Sequence, residues 1–228
     1  MNLTVTNVEL NVSNIKKLDI KIQKALARIH AHVCGDGWLK ERIIKRSPSS
    51  RRTSWGKSNY FKDYYVEYYN NEKNLLREFI HDLRTVFGNK FYICITEKKV
   101  QVRNKKIFTL LKELGCNKSR SWFISEKILN LTNEVHKAWL CAFIDDEAYI
   151  DTKKKEIVLN SVNLNGLKQV GLILKKLQIS FTLNGPYKDV YRLRITRRRD
   201  LLRLSKMIIP KHPKKRRQWK IFQNSWKV

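Results

Sequence analysis

Two carboxylates occupy matching places in the two halves of the chain, each at the end of an apolar helical segment. The segment AHVCGDG at 31–37 carries Asp36, and the segment AFIDDEA at 142–148 carries Glu147. Two carboxylates brought together repel each other unless a cation lies between them, and hard divalent cations prefer oxygen ligands. If the fold brings the two acids together, they suit a metal site for phosphodiester hydrolysis, in which one ion activates water and another stabilises the leaving 3′ oxygen.

Small residues at every fourth position ahead of each acid predict that two helices pack closely. They are Ala27, Ala31 and Gly35 in the first half, and Ala138 and Ala142 in the second, with Asp146 at the third place. Positions four apart lie near one face of a helix. The simplest arrangement pairs the two helices about a pseudo-twofold axis, so that each delivers one acid at its C-terminal end.

The elements predicted around these two helices follow the same order in each half. Hydrophobic periodicity, turn residues and helix stops indicate the elements. In the first half we predict helices at 21–35, 72–87 and 104–115, and strands at 38–46, 60–69, 90–95 and 98–103. In the second half we predict helices at 123–133, 134–147, 164–179 and 199–208, and strands at 148–152, 156–160, 180–185 and 190–196. The chain is therefore predicted to be a tandem repeat, with an offset of 111 residues at the acids that falls to 91 at the fourth strands.

The charge balance points to a polyanionic partner. Lys and Arg number 48 against 20 Asp and Glu, a formal net charge of +28. A hydrophobic content of 42% excludes a disordered basic tail, and the 8 glycines and 4 prolines exclude a collagen-like chain. No apolar stretch is long enough for a transmembrane helix and no secretory signal is visible, so we expect a cytoplasmic protein without a membrane partner. The 4 cysteines show no CxxC spacing and are predicted to be buried thiols.

Basic residues on extended segments, interleaved with aromatic residues, favour nucleic acid over a membrane surface as the partner. An interfacial membrane segment would instead place them on an amphipathic helix. The predicted DNA-binding residues are Lys40, Arg42, Lys45, Arg46, Arg51, Arg52, Lys57, Tyr60, Arg103, Arg192, Arg194 and Arg197.

The two acid-bearing segments resemble the paired motifs of the LAGLIDADG homing endonucleases. The match is carried by AHVCGDGWL at 31–39 and by AFIDDEAYI at 142–150, and the order of elements extends it over about residues 21–210. The resemblance implies an α+β fold of two pseudo-symmetric αββαββα repeats, with the motif helices at the interface and saddle-shaped antiparallel sheets in the DNA major groove. It implies a monomeric, intron-encoded enzyme that cuts both strands of DNA at a long asymmetric site.

The resemblance also implies roles for single residues. The last acid of each motif, Asp36 and Glu147, is expected to bind Mg²⁺, with Ca²⁺ or Mn²⁺ as substitutes, and the preceding residues Gly35 and Asp146 complete the expected metal set. The polar residues at the ends of the second strands, Asn70 and Asn160, are expected to position water in catalysis. Arg103 and Arg194 are expected near the scissile phosphates. Ala148 stands where the family has glycine, and this difference is expected to affect the placement of the second acid.

We expect an N-terminal arm over 1–20, one repeat over 21–118, a second over 119–210 and a basic C-terminal tail over 211–228. Trp219 and Trp226 of this tail are expected to pack against the protein. On a helix His30 and His32 point apart and cannot share one zinc ion, whereas His32 and Asp36 are spaced closely enough to do so.

Two other functions agree with part of the sequence. An RNA-splicing maturase that binds intron RNA, or a non-cleaving regulator of the same fold, would use the same basic sheets without cutting DNA. A ribosome-associated basic protein would explain the charge but neither the repeat nor the paired acids.

Overall fold

The computed structural model describes residues 12–45 and 60–224, and the described chain forms two αββαββα units. Cap residues and glycines set several element ends: Asp19 caps α1 through Lys21 N at 2.7 Å, and Gly88 ends α2 with a positive φ of 72°. The first unit contains α1 (Ile20–Cys34), β1 (Gly37–Lys45), β2 (Tyr60–Tyr69), α2 (Lys73–Phe87), β3 (Ile93–Ile95), β4 (Lys99–Arg103) and α3 (Lys105–Glu113). The second contains α4 (Glu126–Leu129), α5 (Asn133–Glu147), β5 (Ala148–Asp151), β6 (Glu156–Ser161), α6 (Leu164–Lys176), β7 (Thr182–Tyr187), β8 (Val190–Ile195) and α7 (Arg198–Met207), followed by α8 (Pro213–Asn224).

Each unit has a four-stranded antiparallel sheet of the same topology. The strand orders are β1-β2-β4-β3 and β5-β6-β8-β7. Because side chains alternate across a strand, one face of each sheet is apolar: Leu39, Val66 and Val102 align across the first sheet. The helices cover these apolar faces, and polar and aromatic side chains occupy the opposite, open faces. The α+β fold of two pseudo-symmetric units is therefore confirmed.

The two motif helices, α1 and α5, pack side by side as the small residues predict. Ala27, Ala31 and Ala142 are almost completely buried. A Cβ atom added to Gly35 would lie only 3.0 Å from the Cβ of Asp146, so the two helix ends meet at this point. The absence of a side chain at Gly35 allows this close approach without a shift of Asp146.

The strand register corrects the predicted repeat offset. Gly37 of β1 and Ala148 of β5 each follow the acid, which keeps the offset of 148 − 37 = 111 there. Across the sheets, Gly37 aligns with Tyr68 and Val100, whereas Ala148 aligns with Leu159 and Leu193, so the fourth strands differ by 193 − 100 = 93 rather than 91. Because side chains alternate along a strand, an error of two residues does not change which residues of the two fourth strands share a face of the sheet.

Both chain ends depart from the prediction within the described residues. The predicted arm over 1–20 includes a 3-10 helix, Val12–Lys17, with a buried Ile15, and residues 1–11 lie outside the described range. The predicted basic tail over 211–228 is largely helix α8, which Pro213 begins, because Trp219 and Phe222 give its otherwise charged sequence a buried side. Trp219 is packed as expected, whereas Trp226 lies outside the described residues.

One smaller difference concerns the second unit. The helix predicted at 123–133 is shortened to Glu126–Leu129, because the chain first extends along the protein to bury Trp122 and Ile124. Among the described residues, no helix has both the length and the apolar character that a membrane span needs.

Candidate metal centre and nucleic-acid surface

Asp36 and Glu147 both lie at helix-to-strand junctions, one from each unit. Asp36 follows the cap residue Gly35 of α1 and precedes β1, and its carbonyl accepts a hydrogen bond from the Tyr69 N–H at 3.1 Å. Glu147 is the last residue of α5 and β5 follows it directly. The helix packing thus brings the two acids from distant parts of the sequence to the same junction between the units.

The pKa values of the two acids reflect this juxtaposition. Desolvation in the cleft, together with the Asp146 carboxylate, raises the pKa of Asp36 to about 6. Desolvation, followed by repulsion from Asp36 and Asp146, raises the pKa of Glu147 to about 8. Carboxylates that repel each other in this way gain from a shared cation, and an all-oxygen donor set suits Mg²⁺ and similar ions. The residues present therefore fit a divalent metal.

Asp146, predicted as a metal ligand, has both carboxylate oxygens in hydrogen bonds within the protein. His32 Nδ1 lies 2.8 Å from Oδ2, and the Tyr68 hydroxyl donates to Oδ1 at 2.7 Å. Burial disfavours a charged His32, but the Asp146 carboxylate outweighs it and raises the pKa of the imidazole. The side chain of Asp146 is thus held by the first unit, and its carboxylate lies close enough to Asp36 and Glu147 to raise the pKa of both.

The two predicted asparagines are placed differently. Asn70 follows β2, with its Nδ2 3.4 Å from Asp36 Oδ2 and its Oδ1 accepting from the Glu72 N–H at 2.9 Å. Asn160 lies opposite Arg192 on the open face of the second sheet, and no hydrogen bond joins it to Glu147 within the described chain. The structure therefore joins Asn70 to Asp36 by a hydrogen bond, whereas Asn160 follows Leu159, the strand partner of Ala148, and so lies next to the strand position of Glu147.

Sequence reasoning missed Lys215, which α8 brings to the same centre. Its Nζ donates to the carbonyls of Ile144 and Asp145 at 2.9 and 2.6 Å, and to that of Asp146 at 3.1 Å. Lys215 and Asp36 also line a cleft of about 590 Å³. No local pattern links Lys215 to these acids, since 70 residues separate it from Asp145. The general signal is that the last carbonyls of a helix lack partners within the helix, so the buried end of α5 needs a hydrogen-bond donor from elsewhere.

A second group of possible metal ligands, His30, Cys34 and Cys116, is structural. The three ligand atoms lie within 4.8 Å of one another. However, His30 Nε2 bonds to the Leu114 carbonyl at 2.9 Å, and Nδ1 accepts from Trp139 Nε1 at 2.9 Å. Both imidazole nitrogens are thus in use. In the alternative pairing of His32 with Asp36, the Nδ1 atom of His32 already bonds to Asp146 Oδ2 at 2.8 Å.

Five of the predicted DNA-binding residues lie on the open faces of the sheets. Strand alternation places Lys40, Arg42 and Arg103 on that face of the first sheet, and Arg192 and Arg194 on that of the second. Lys40 lies over the ring of Trp38, and Arg42 over that of Tyr65, at 4.9 and 5.2 Å from the ring centroids. Such stacked cations form a surface that is both basic and aromatic.

Two arginines of this surface are held by carboxylates. Arg103 Nε donates to Asp63 Oδ1 at 2.6 Å, and Arg194 donates to Glu156. The remaining guanidinium hydrogens of both residues stay available to a ligand.

The other predicted DNA-binding residues lie elsewhere. Lys45 and Tyr60 pair with each other on the opposite face of their strands, and Arg197 is exposed immediately before α7. Four lie outside the described residues: Arg46, Arg51, Arg52 and Lys57.

Comparison with known proteins agrees with this architecture. Residues 134–208 match the LAGLIDADG-like domain. The homing endonuclease I-DmoI is 19% identical with a TM-score of 0.63, over 83% of this chain and 91% of that one. I-DmoI in complex with DNA and Mn gives a TM-score of 0.62 at 19% identity, over 82% of this chain and 97% of that one. The LAGLIDADG homing endonuclease I-LtrWI bound to target DNA is 14% identical with a TM-score of 0.58, over 90% and 91% of the two chains.

A curated relative matches by sequence. It belongs to the A-type ATP synthase of Pyrococcus abyssi, and it is 25% identical over 181 residues. The match covers 76% of this chain but only 16% of that protein. The resemblance drawn from the two motifs is confirmed at the level of the fold: the chain has the fold of the LAGLIDADG homing endonucleases, and residues 134–208 are similar to the LAGLIDADG-like domain.

Proposed function

We propose that this protein is a divalent-metal-dependent endonuclease that cuts double-stranded DNA at a specific site. The observation that carries the proposal is the meeting of Asp36 and Glu147, from two halves of one chain, between two sheets with basic open faces. The DNA complexes of the structural relatives support the same conclusion. Because one chain supplies both acids, we propose that it acts as a monomer.

In this proposal Asp36 and Glu147 hold the metal, together with the main-chain oxygens of Gly35 and Asp146. A bound divalent cation, proposed to be Mg²⁺, would supply a water of lowered pKa and stabilise the leaving oxygen. Asn70 is fixed beside Asp36 by its bond to the Glu72 N–H, and it can orient the water on that side. The side chain of Asp146 has a supporting role, because its hydrogen bonds to His32 and Tyr68 fix the end of α5 that carries Glu147.

The open faces of the two sheets would bind the DNA on either side of the centre. Lysine and arginine neutralise phosphates, and arginine can donate two hydrogen bonds to guanine in the major groove. The open face of the first sheet carries Trp38 and Lys40 two and four residues after Asp36, followed by Arg42. At the matching places after Glu147, the second sheet carries Tyr149 and Asp151. The two half-sites should therefore differ in sequence, and the whole target should be asymmetric.

The test is to select binding sites from fragmented DNA of the source genome in Ca²⁺, then add Mg²⁺ and map the cut ends. Wild type, Asp36→Asn and Glu147→Gln are compared. We expect all three to select the same long site and only the wild type to cut it on both strands. Specific binding without cutting by the wild type would refute the nuclease and favour the regulator. Selection of intron RNA over DNA would favour the maturase.

A further inference from the structure

Lys215 reaches the candidate metal centre from α8, outside the two αββαββα units. Its three hydrogen bonds to the carbonyls of Ile144, Asp145 and Asp146 use every hydrogen of the ammonium group. The last carbonyls of a helix lack partners within the helix and carry its partial negative charge. Lys215 satisfies those of Asp145 and Asp146 at the turn of α5 that delivers Glu147, and it shares the Ile144 carbonyl with the Ala148 N–H.

The position of Lys215 is built into the fold. Trp219 and Phe222 anchor α8 with side chains that are 1% exposed, and Gln218 Nε2 donates to the Ile150 carbonyl at 2.8 Å. The loop before α8 is fixed as well, because the Asp145 carboxylate accepts the Lys211 and His212 N–H groups at 2.9 Å. An exposed lysine moves freely, whereas this one is held by its own helix and by the loop before it.

The same ammonium group lies among the oxygens that would receive a metal. The Asp146 carbonyl accepts from Lys215 at 3.1 Å, and the Asp146 carboxylate lies close enough to Asp36 and Glu147 to raise the pKa of both. The positive charge of Lys215 acts on Asp146, Asp145, Asp36 and Glu147. A divalent cation entering the centre would meet this fixed charge and compete for the same carbonyl.

We propose that Lys215 is a positioning residue of the metal centre: it fixes the end of α5 and, as a resident positive charge, weakens divalent-cation binding there. The inference rests on the proposed function, since it concerns the metal that the nuclease would use. It also explains how four neighbouring carboxylates can be held together before a metal binds.

The test is a Mn²⁺ titration of the full chain without DNA, with free Mn²⁺ followed by electron paramagnetic resonance. Removal of the charge in Lys215→Met should tighten Mn²⁺ binding by at least about fivefold. The reason is that the Lys215 ammonium group and a divalent cation bound beside it carry like charges, which repel each other at a separation of a few ångström. Lys215→Arg, which keeps the charge, should stay near the wild type. Lys220→Met removes an exposed charge from the same helix and should also have no effect.

A purely structural role gives the opposite result. If Lys215→Met stays folded by circular dichroism and binds Mn²⁺ equally or more weakly, the proposal is wrong. If Lys215→Met unfolds, Lys215→Gln decides, because its amide still donates to the carbonyls without a charge; the same tightening is expected, and weaker binding or unfolding refutes the proposal. Asp36→Asn separates the two hypotheses, since Mn²⁺ binding that is unaffected by this substitution would contradict the metal centre itself.

Discussion

Glu147→Gln should stabilise the metal-free protein at neutral pH. Desolvation and repulsion from Asp36 raise the pKa of Glu147 from its ordinary 4.5 to about 8. An acid whose pKa is raised by folding keeps its proton longer in the folded state, so the free energy of unfolding falls as the pH rises from 4.5 toward 8. At pH 7 this cost is about 3 kcal/mol at most, and about 1–3 kcal/mol once partial solvent access is allowed for.

The assay is urea unfolding of the wild type and Glu147→Gln in EDTA, from pH 4 to pH 8. We expect the two proteins to differ little near pH 4, where the carboxyl group is protonated in both states. Glu147→Gln should gain about 1–3 kcal/mol over the wild type by pH 7, because ionisation of Glu147 favours the unfolded wild type, whereas the amide does not ionise in either state. Glu113→Gln is the matched control: it removes an exposed glutamate at the end of α3 and should not change the pH profile.

A metal gives the second half of the prediction. Mg²⁺ should stabilise the wild type at pH 7 and should stabilise Glu147→Gln much less, because a cation that binds only the folded state shifts the unfolding equilibrium. The reasoning is refuted if Glu147→Gln is no more stable than the wild type at pH 7 in EDTA, or if both proteins lose stability equally between pH 5 and pH 8.

Two further predictions concern the support of Asp146 and the reading of DNA. Tyr68→Phe removes a buried hydroxyl that donates to Asp146 at 2.7 Å and should lower the free energy of unfolding by about 1–3 kcal/mol, measured against the exposed control Tyr92→Phe; equal unfolding curves for the two variants would contradict it. Arg194 aligns across its sheet with Tyr149, two residues after Glu147, whereas Arg103 aligns with Lys40, four residues after Asp36. The two arginines therefore differ by two strand residues in their distance from the acid of their own unit. In site selection, each of the variants Arg103→Ala and Arg194→Ala should lose base preference at one position of the DNA target. The distances of these two positions from the cut should differ by about two base pairs, since two strand residues span about 6.7 Å. Equal distances, or a uniform loss of affinity, would contradict this prediction.

Most of the fold could be predicted from the sequence because its signals are local and repeated. The amphipathic period of α2, the aromatic and β-branched residues of β2 and the glycine after α2 each reflect a preference of a few neighbouring residues. The pairing of α1 with α5 was also predictable, since small residues at matched positions serve little purpose except close packing. The same pattern placed Asp36 and Glu147 together.

The parts that could not be predicted depend on contacts between distant segments. The packing of Trp219 was predicted, but the helix α8 that carries it was not, because basic residues surround Trp219 and Phe222 in a sequence that looks like a solvated tail. Lys215 is one of those charges, and only the docked helix distinguishes it from its neighbours. The partners of Asp146, His32 and Tyr68, lie on α1 and β2 of the other unit, and no spacing in the sequence relates them to it.

The two units share a backbone topology but contribute different side chains to the candidate metal centre, and Gly35 illustrates the difference. At the repeat offset of 111, Gly35 corresponds to Asp146, and these two residues face each other across the helix interface. A methyl group at Gly35 would lie 3.0 Å from the Cβ of Asp146 and 3.1 Å from one of its carboxylate oxygens, so Asp146 would have to move by a few tenths of an ångström. Glycine at position 35 therefore leaves the Asp146 carboxylate in place. His32 and Tyr68 of the first unit bind that carboxylate, so the asymmetry of the centre follows from the close side-by-side packing of two similar helices.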